Sequence, residues 1–308
     1  MLNNKTFLKI ISFLIAVALW IYVMGEVNPD TEASIQDVEI TFTNTDSLAG
    51  DGLAVVQNKT VTVDITIQGR RAEVNETKRN GVTATVDVEG ASEGKNTREI
   101  NVILPDGVSL AEISRQSLTF TAEELVEEEK PVTIEIAGAE SAAGSLMPWV
   151  IDSSPKTVTV TGAKSSVERI SEVRGTVPRN SATERQAEVE VDLAPVTDDN
   201  EVVLGVALSR ETATASVQLL YSRAVNLEIS VENLPDGMET ERVEAPDTVT
   251  ILGTEDAVNS IDSLEGTVDL SGAASGEKIP INIDLPEGTY LYYREGAPAA
   301  EVTLRTAD

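Results

Sequence analysis

Residues equipped for chemistry are few in this chain, and two types are missing. Among 308 residues there is no His and no Cys. That removes imidazole bases, the Ser-His-Asp triad, thiolate nucleophiles, disulfides, and the Cys/His sites of zinc and iron–sulfur centres. Catalysis would have to rest on carboxylates, Lys, hydroxyls or a hard metal. Gly162-Ala163-Lys164-Ser165 follows a strand pattern and opens a helix pattern, the setting in which backbone N–H groups bind phosphate. A P-loop needs an earlier Gly that is absent here, and two corresponding places in the chain hold Arg70-Arg71 and Glu255-Asp256. A phosphate site is therefore not expected, and nothing beyond adjacency marks Lys164 and Ser165 as a catalytic pair. Asp198-Asp199-Asn200-Glu201 gathers carboxylates but lacks the alternating ligands and Gly of an EF-hand, so it reads as an acidic turn. Glu127-Glu128-Glu129 reads as a solvated linker rather than a ligand patch. Trp149, after Pro148, reads as a core or interdomain plug rather than a ligand platform. No catalytic, cofactor-binding or metal-binding residue is assigned, and the expectation is a protein that is not an enzyme.

Charge narrows the partners. With 23 Lys+Arg against 52 Asp+Glu, the formal charge is −29. Nucleic acid would be repelled, and so would an anionic leaflet by a body lying flat on it. Abundant Val and Thr with only 4% aromatic residues suit small β-rich modules with modest cores.

The elements that could position any partner contact begin with one apolar segment. Residues 7–25 read FLKIISFLIAVALWIYVMG, with Lys9 as the one charge. At 1.5 Å per residue they reach about 28 Å, close to the hydrocarbon thickness of a bilayer. Lys5 and Lys9 lie on one side, and Glu26, Asp30 and Glu32 on the other. The positive-inside rule then places the N-terminus in the cytoplasm and the remaining chain outside, as a single-pass protein of the cell membrane. A cleaved signal peptide is the alternative, but Val23-Met24-Gly25 fits a cleavage site only loosely, and bulky Trp20 and Tyr22 precede it. Ser12 and Ala16 form a small-xxx-small pair on this helix, a candidate contact for a partner's membrane helix.

The body is repetitive. Val38-Glu39-Ile40-Thr41-Phe42, Val132-Thr133-Ile134-Glu135-Ile136 and Val225-Asn226-Leu227-Glu228-Ile229 alternate like half-buried strands. Second strands end in Gly69, Gly162 and Gly253, spaced 93 and 91 residues apart. A short helix is expected after the second Gly from Val167, Ile170 and Val173, with Ser165 and Glu168 as a capping box. Another is expected after the third from Val258, Ile261 and Leu264, capped by Thr254. The first copy keeps only Val74, which does not support a helix. Third strands open at Thr85-Val86-Asp87, Thr176-Val177-Pro178 and Thr267-Val268-Asp269. Fourth strands read Ile100-Asn101-Val102-Ile103-Leu104, Val189-Glu190-Val191-Asp192-Leu193 and Ile281-Asn282-Ile283-Asp284-Leu285, and last strands close each copy at Leu118-Thr119-Phe120, Val217-Gln218-Leu219 and Val302-Thr303-Leu304. The predicted fold is mainly β: a transmembrane helix and three tandem domains, each with about five short strands and at most one short helix. The segments are 1–6 (cytoplasmic), 7–25 (membrane helix), 26–33 (tether), 34–128, 129–223 and 224–308 (repeats).

A Lys-bearing N-terminus, an anchor ending in Leu19-Trp20-Ile21-Tyr22-Val23, and tandem units with strand-Gly, Thr-Val-Asp and Leu-Pro-x-Gly elements resemble the YbbR-like domain proteins of Gram-positive bacteria. The resemblance covers essentially the whole chain and rests on the order and spacing of these elements. It implies a non-catalytic regulator without cofactors, whose partner is a membrane diadenylate cyclase, the maker of cyclic di-AMP. The departure is three repeats where such proteins carry four. From another class, the alternative is a surface-anchored binding or structural module of the cell envelope with no cyclase partner.

Overall fold

The computed structural model describes residues 5–139, 146–234, 238–271, 276–293 and 296–306, with side chains of 5–6, 24–27 and 306 left aside. Helix α1 spans Lys5–Val27, and Asn28-Pro29 ends it, because proline cannot continue the hydrogen-bond ladder. The first repeat holds β1 (Asp30–Thr43), α2 (Thr45–Gly50), β2 (Leu53–Val55), β3 (Thr62–Arg70), α3 (Arg71–Asn80), β4 (Thr83–Asp87), β5 (Gly94–Ile103), β6 (Val108–Ile113) and the start of β7 (Ser117–Ile136). The second continues along β7 and adds β8 (Leu146–Ser154), β9 (Thr157–Ala163), α4 (Lys164–Glu168), β10 (Glu172–Val177), β11 (Ala187–Val196), β12 (Val206–Leu208) and the start of β13 (Thr212–Glu232). The third continues along β13 with β14 (Met238–Glu244), β15 (Thr248–Gly253), α5 (Glu255–Asn259), β16 (Ser263–Asp269), β17 (Glu277–Pro280), β18 (Asn282–Ile283), β19 (Tyr290–Tyr292) and β20 (Ala299–Thr306).

One long strand organises each repeat. The front of β1 pairs antiparallel with β3, and its end pairs parallel with β4. In the third repeat β13 does the same with β15 and then β16. Strand β7 pairs with β5 over 117–122 and with β9 over 125–131, so the last strand of one repeat runs without a break into the first strand of the next. The sequence expectation of a linker at Glu127–Glu129 is corrected here. These residues are exposed, but they lie inside β7 opposite Thr161, Val160 and Thr159. The boundary expected at Ser222-Arg223 likewise lies inside β13, opposite Leu252 and Ile251.

Contacts gather the chain into two units. The first comprises Met1–Pro131, Thr157–Val173 and Ala194–Arg210; the second comprises Val132–Lys156, Arg174–Leu193 and Glu211–Asp308. In the first unit Ile65, Ile67, Val86 and Leu48 are buried, with Phe42 packed edge-on to Phe120 at 5.5 Å. In the second, Val225, Ile251, Val268 and Leu270 form the core of the third repeat.

The recurring glycines answer to close approach. A Cβ on Gly69 would stand 2.5 Å from the Gly107 carbonyl oxygen, and one on Gly162 would stand 2.7 Å from Val206 Cγ1. Each faces a short sixth strand, β6 or β12, that the sequence reading did not foresee. The Thr-Val-Asp element is a clamp. Asp87 accepts from the Glu89 backbone N–H and the Asn44 amide, both at 2.9 Å. Asp269 does the same with Ser271 and Asn233, also at 2.9 Å. Asn44 and Asn233 take left-handed φ values of 62° and 54°, a conformation Asn tolerates better than most residues. Both Asp carboxyls are held below their usual range, Asp87 first by the Glu89 N–H and then by Asn44, Asp269 first by Asn233 and then by Ser271.

Candidate functional site

Helix α1 differs from every other element described. Apart from half-buried Val17, its large apolar side chains between Phe7 and Val23 are 38–69% exposed, from Ile11 to Phe13. Nothing in the described body packs enough of them to explain an apolar helix in water. Ser12 and Ala16 are exposed on it, four residues apart and so one above the other on one face. Among the described residues no helix is long and apolar enough to cross a membrane.

The exit from α1 is short and fixed. The tether expected over residues 26–33 is corrected at both ends, because α1 runs on to Val27 and β1 begins at Asp30, which pairs with Arg70. The two residues between helix and strand are both bonded to α3. The Ala72 N–H donates to the Asn28 side-chain oxygen at 2.9 Å, and the Arg71 N–H donates to the Pro29 carbonyl at 3.0 Å. These are first-turn N–H groups that a helix cannot satisfy internally, so the tether caps α3.

The motifs with a chemical pretext occupy structural places. Glu123 of β7 accepts from the Ser165 N–H at 3.0 Å, and the Ser165 hydroxyl and then that N–H hold its carboxyl below the usual range. Lys164 Nζ lies 3.7 Å from Glu124. An internal carboxylate thus takes the position a phosphate would need, and the Ser165–Glu168 capping box does not form. Thr254 does cap α5, accepting from the Ala257 N–H at 3.3 Å. Asn200 N–H donates to the Thr197 carbonyl and Thr197 N–H to the Glu201 carbonyl, so the Asp198–Glu201 segment is a closed turn. Among the described residues no group of three acidic side chains is placed to hold a metal.

In the second unit, residues 132–139, Pro148, Trp149, Tyr292 and Tyr293 line an open groove of about 1200 Å³. Trp149 packs with its ring centroid 6.1 Å from Tyr290 and 6.4 Å from Tyr292, over buried Met147, Leu220 and Leu252. It therefore joins the second repeat to the third, as a plug would. Glu135 is the one charged residue described in the lining, so the groove offers no acid–base pair.

The chain aligns with the CdaA regulatory protein CdaR of Bacillus subtilis at 26% identity over 302 residues, covering 93% of this chain. It spans 62% of that relative's length. Among solved structures it is similar to a YbbR-like protein from Streptococcus pneumoniae, at 16% identity and a TM-score of 0.47, covering 62% of this chain and 96% of that one. It is also similar to a YbbR-like domain from Listeria monocytogenes, at 19% identity and a TM-score of 0.27, covering 30% of this chain and 94% of that one. The model of the YbbR-like protein family matches residues 38–122 and 225–303, the first and third repeats and just over half of the chain, and the chain belongs to that family.

Proposed function

We propose that this protein is a non-catalytic, single-pass membrane protein with its body outside the cell, and that it modulates a membrane diadenylate cyclase. The observation that carries the reading is α1. The 23 residues of Lys5–Val27 give about 34 Å of helix, against a hydrocarbon layer of about 30 Å. Ten of its exposed side chains are Phe, Leu, Ile or Val. On insertion scales they favour hydrocarbon by about 3–6 kcal/mol in total. Lys5 and Lys9 on one side, and Asp30 and Glu32 on the other, support an orientation with the N-terminus inside. Similarity to the Bacillus subtilis CdaA regulatory protein CdaR supports the cyclase as partner.

In this reading control passes through the bilayer, by α1 packing against the partner's own helices. Helices in lipid approach closely where side chains are small, and Ser12 and Ala16 provide such a face. A coupling of about 1–3 kcal/mol is the usual size for linked sites. The test replaces residues 7–25 with an unrelated membrane helix and measures cyclic di-AMP in cells. Control should be lost while the body still reaches the surface, and Ser12→Leu with Ala16→Leu should weaken it less. Unchanged control with the foreign helix would sink the membrane route. Cyclic di-AMP levels indifferent to deletion of the whole protein would sink the regulator reading and leave the envelope module in its place.

A further inference from the structure

We infer that α3 of the first repeat docks on the anionic phospholipid headgroups at the outer face of the bilayer. The inference rests on α1 crossing that bilayer. The protein is acidic overall, yet Arg70, Arg71, Lys78 and Arg79 fall within ten residues, against Glu73 and Glu76. All four basic side chains are exposed. Elsewhere Lys156, Lys164 and Arg305 stand within 4.0 Å of carboxylates, whereas none of these four is in an ion pair among the described residues. At 100° per residue, Arg71 and Lys78 project within about 20° of each other, and Arg79 lies about 80° round, with Asn75 between. Val74 and Thr77 turn another face into the core, and Glu73 is directed toward Gly107. One flank is thus cationic and exposed, although Arg79 Nε donates to the Asn75 carbonyl at 3.4 Å and Arg70, just before α3, lies opposite Asp30 of β1.

Its position follows from the exit of α1. Arg71 N–H is bonded to the Pro29 carbonyl and Ala72 N–H to Asn28, one and two residues beyond the end of α1 at Val27. The headgroup layer is about 5–8 Å deep on each side, so residues fixed this close to the helix end stand within or against it. Lys78 and Arg79 sit about 11–12 Å further along α3. Charges spread over that length match a surface of phosphates rather than a single bound phosphate. The wider body stays acidic and is held off, so α3 is a local contact that sets how the first repeat sits on the membrane.

The chain has no Cys, so Asn75→Cys gives one site for a fluorescent label on this flank. Full-length protein would be reconstituted into phosphatidylcholine vesicles with and without phosphatidylglycerol, and quenching by iodide measured. Phosphatidylglycerol should shield the label at low salt. The docked population should fall about fivefold for each charge removed, vanish in R70Q/R71Q/K78Q/R79Q, and decline as salt rises. Equal quenching in both lipids, shielding that survives the four substitutions, or shielding that appears only when the cyclase is added would overturn the proposal. Alkaline carbonate extraction separates the two readings. Release from the vesicles overturns the membrane span and this contact together; retention with an unshielded label overturns this contact alone.

Discussion

Gly69→Ala should open the first repeat locally, by an amount that can be worked from the backbone. The new Cβ would stand 2.5 Å from the Gly107 carbonyl oxygen and 3.3 Å from Val108 Cα. Both are backbone atoms, so no side chain can rotate away, and β6 must move off β3 by most of an ångström. The register there is Gly69↔Val108, Gln68↔Ser109 and Ile67↔Leu110. Hydrogen bonds stretched by that much pass out of range, and two or three of them at about 1 kcal/mol each give a loss of about 2–3 kcal/mol. That agrees with the usual penalty for overpacking, about 1–3 kcal/mol. Gly253 supplies the control, because its Cβ would meet nothing nearer than 3.2 Å and a shift of a few tenths suffices. Hydrogen exchange read by peptide suits a chain with several cores, where one global unfolding energy is not defined. Protection across β3 and β6 should drop about 30- to 150-fold in Gly69→Ala, with β15 and β19 unchanged. Gly253→Ala should lower protection in its own repeat by less than about fivefold. Equal effects of the two substitutions would show that close approach is not why glycine recurs after the second strand.

Two further outcomes are expected. Leu48→Ala, at the buried side chain of α2, 1% exposed, should destabilise the first repeat by about 3 kcal/mol, read as earlier unfolding of that repeat in urea. The Asp87 and Asp269 clamps should loosen in acid: their folded pKa values lie below the unfolded ones, so their contribution is present above the unfolded pKa and is lost as pH falls through the folded value. Exchange near Glu89 and Ser271 should therefore quicken below about pH 4, while the second repeat, with Pro178 in place of the Asp, shows no such step.

What sequence could and could not reveal follows from the length of each signal. Alternation over five residues marked the first, second and fourth strands of every repeat, and the long apolar run marked α1. Strands of three residues, such as β2, β12 and β19, hold less than two periods and leave no pattern. Helix α3 was passed over because its second buried position is Thr77, whose hydroxyl donates to the Glu73 carbonyl at 2.8 Å. A hydrophobic template cannot see a polar residue satisfied in that way. The run Val167, Ile170, Val173 overshot for the opposite reason. All three are buried, but α4 stops at Glu168, and the later two are buried from a turn and from β10. The shared strands were hidden by chemistry: three consecutive glutamates look like a linker unless the partner strand is known. For the candidate site, the apolar helix and its Ser12–Ala16 pair were plain from spacing. Arg70-Arg71 was noticed only as a mismatch to a phosphate motif, since the bonds from Arg71 and Ala72 to residues 28–29 are long-range and leave no local trace.

Those bonds decide how freely α1 can move relative to the first repeat. A flexible tether would let α1 rotate and tilt without the first repeat noticing, and no state of the body could then bias the helix. Here two residues separate α1 from β1, one is proline, and both are bonded to the start of α3. Proline fixes its own φ and restricts the residue before it, which removes most of the freedom two residues would otherwise have. Under the proposed topology, a change in how the first repeat sits on the membrane would move α1, and a partner that prefers one tilt of α1 would favour one seating of the repeat, because coupling between two sites is reciprocal. Asn28→Gly with Pro29→Gly frees this joint while leaving α1 and its small-residue face intact. If the cyclic di-AMP control proposed above persists unchanged in that variant, the route from the body through the helix is wrong.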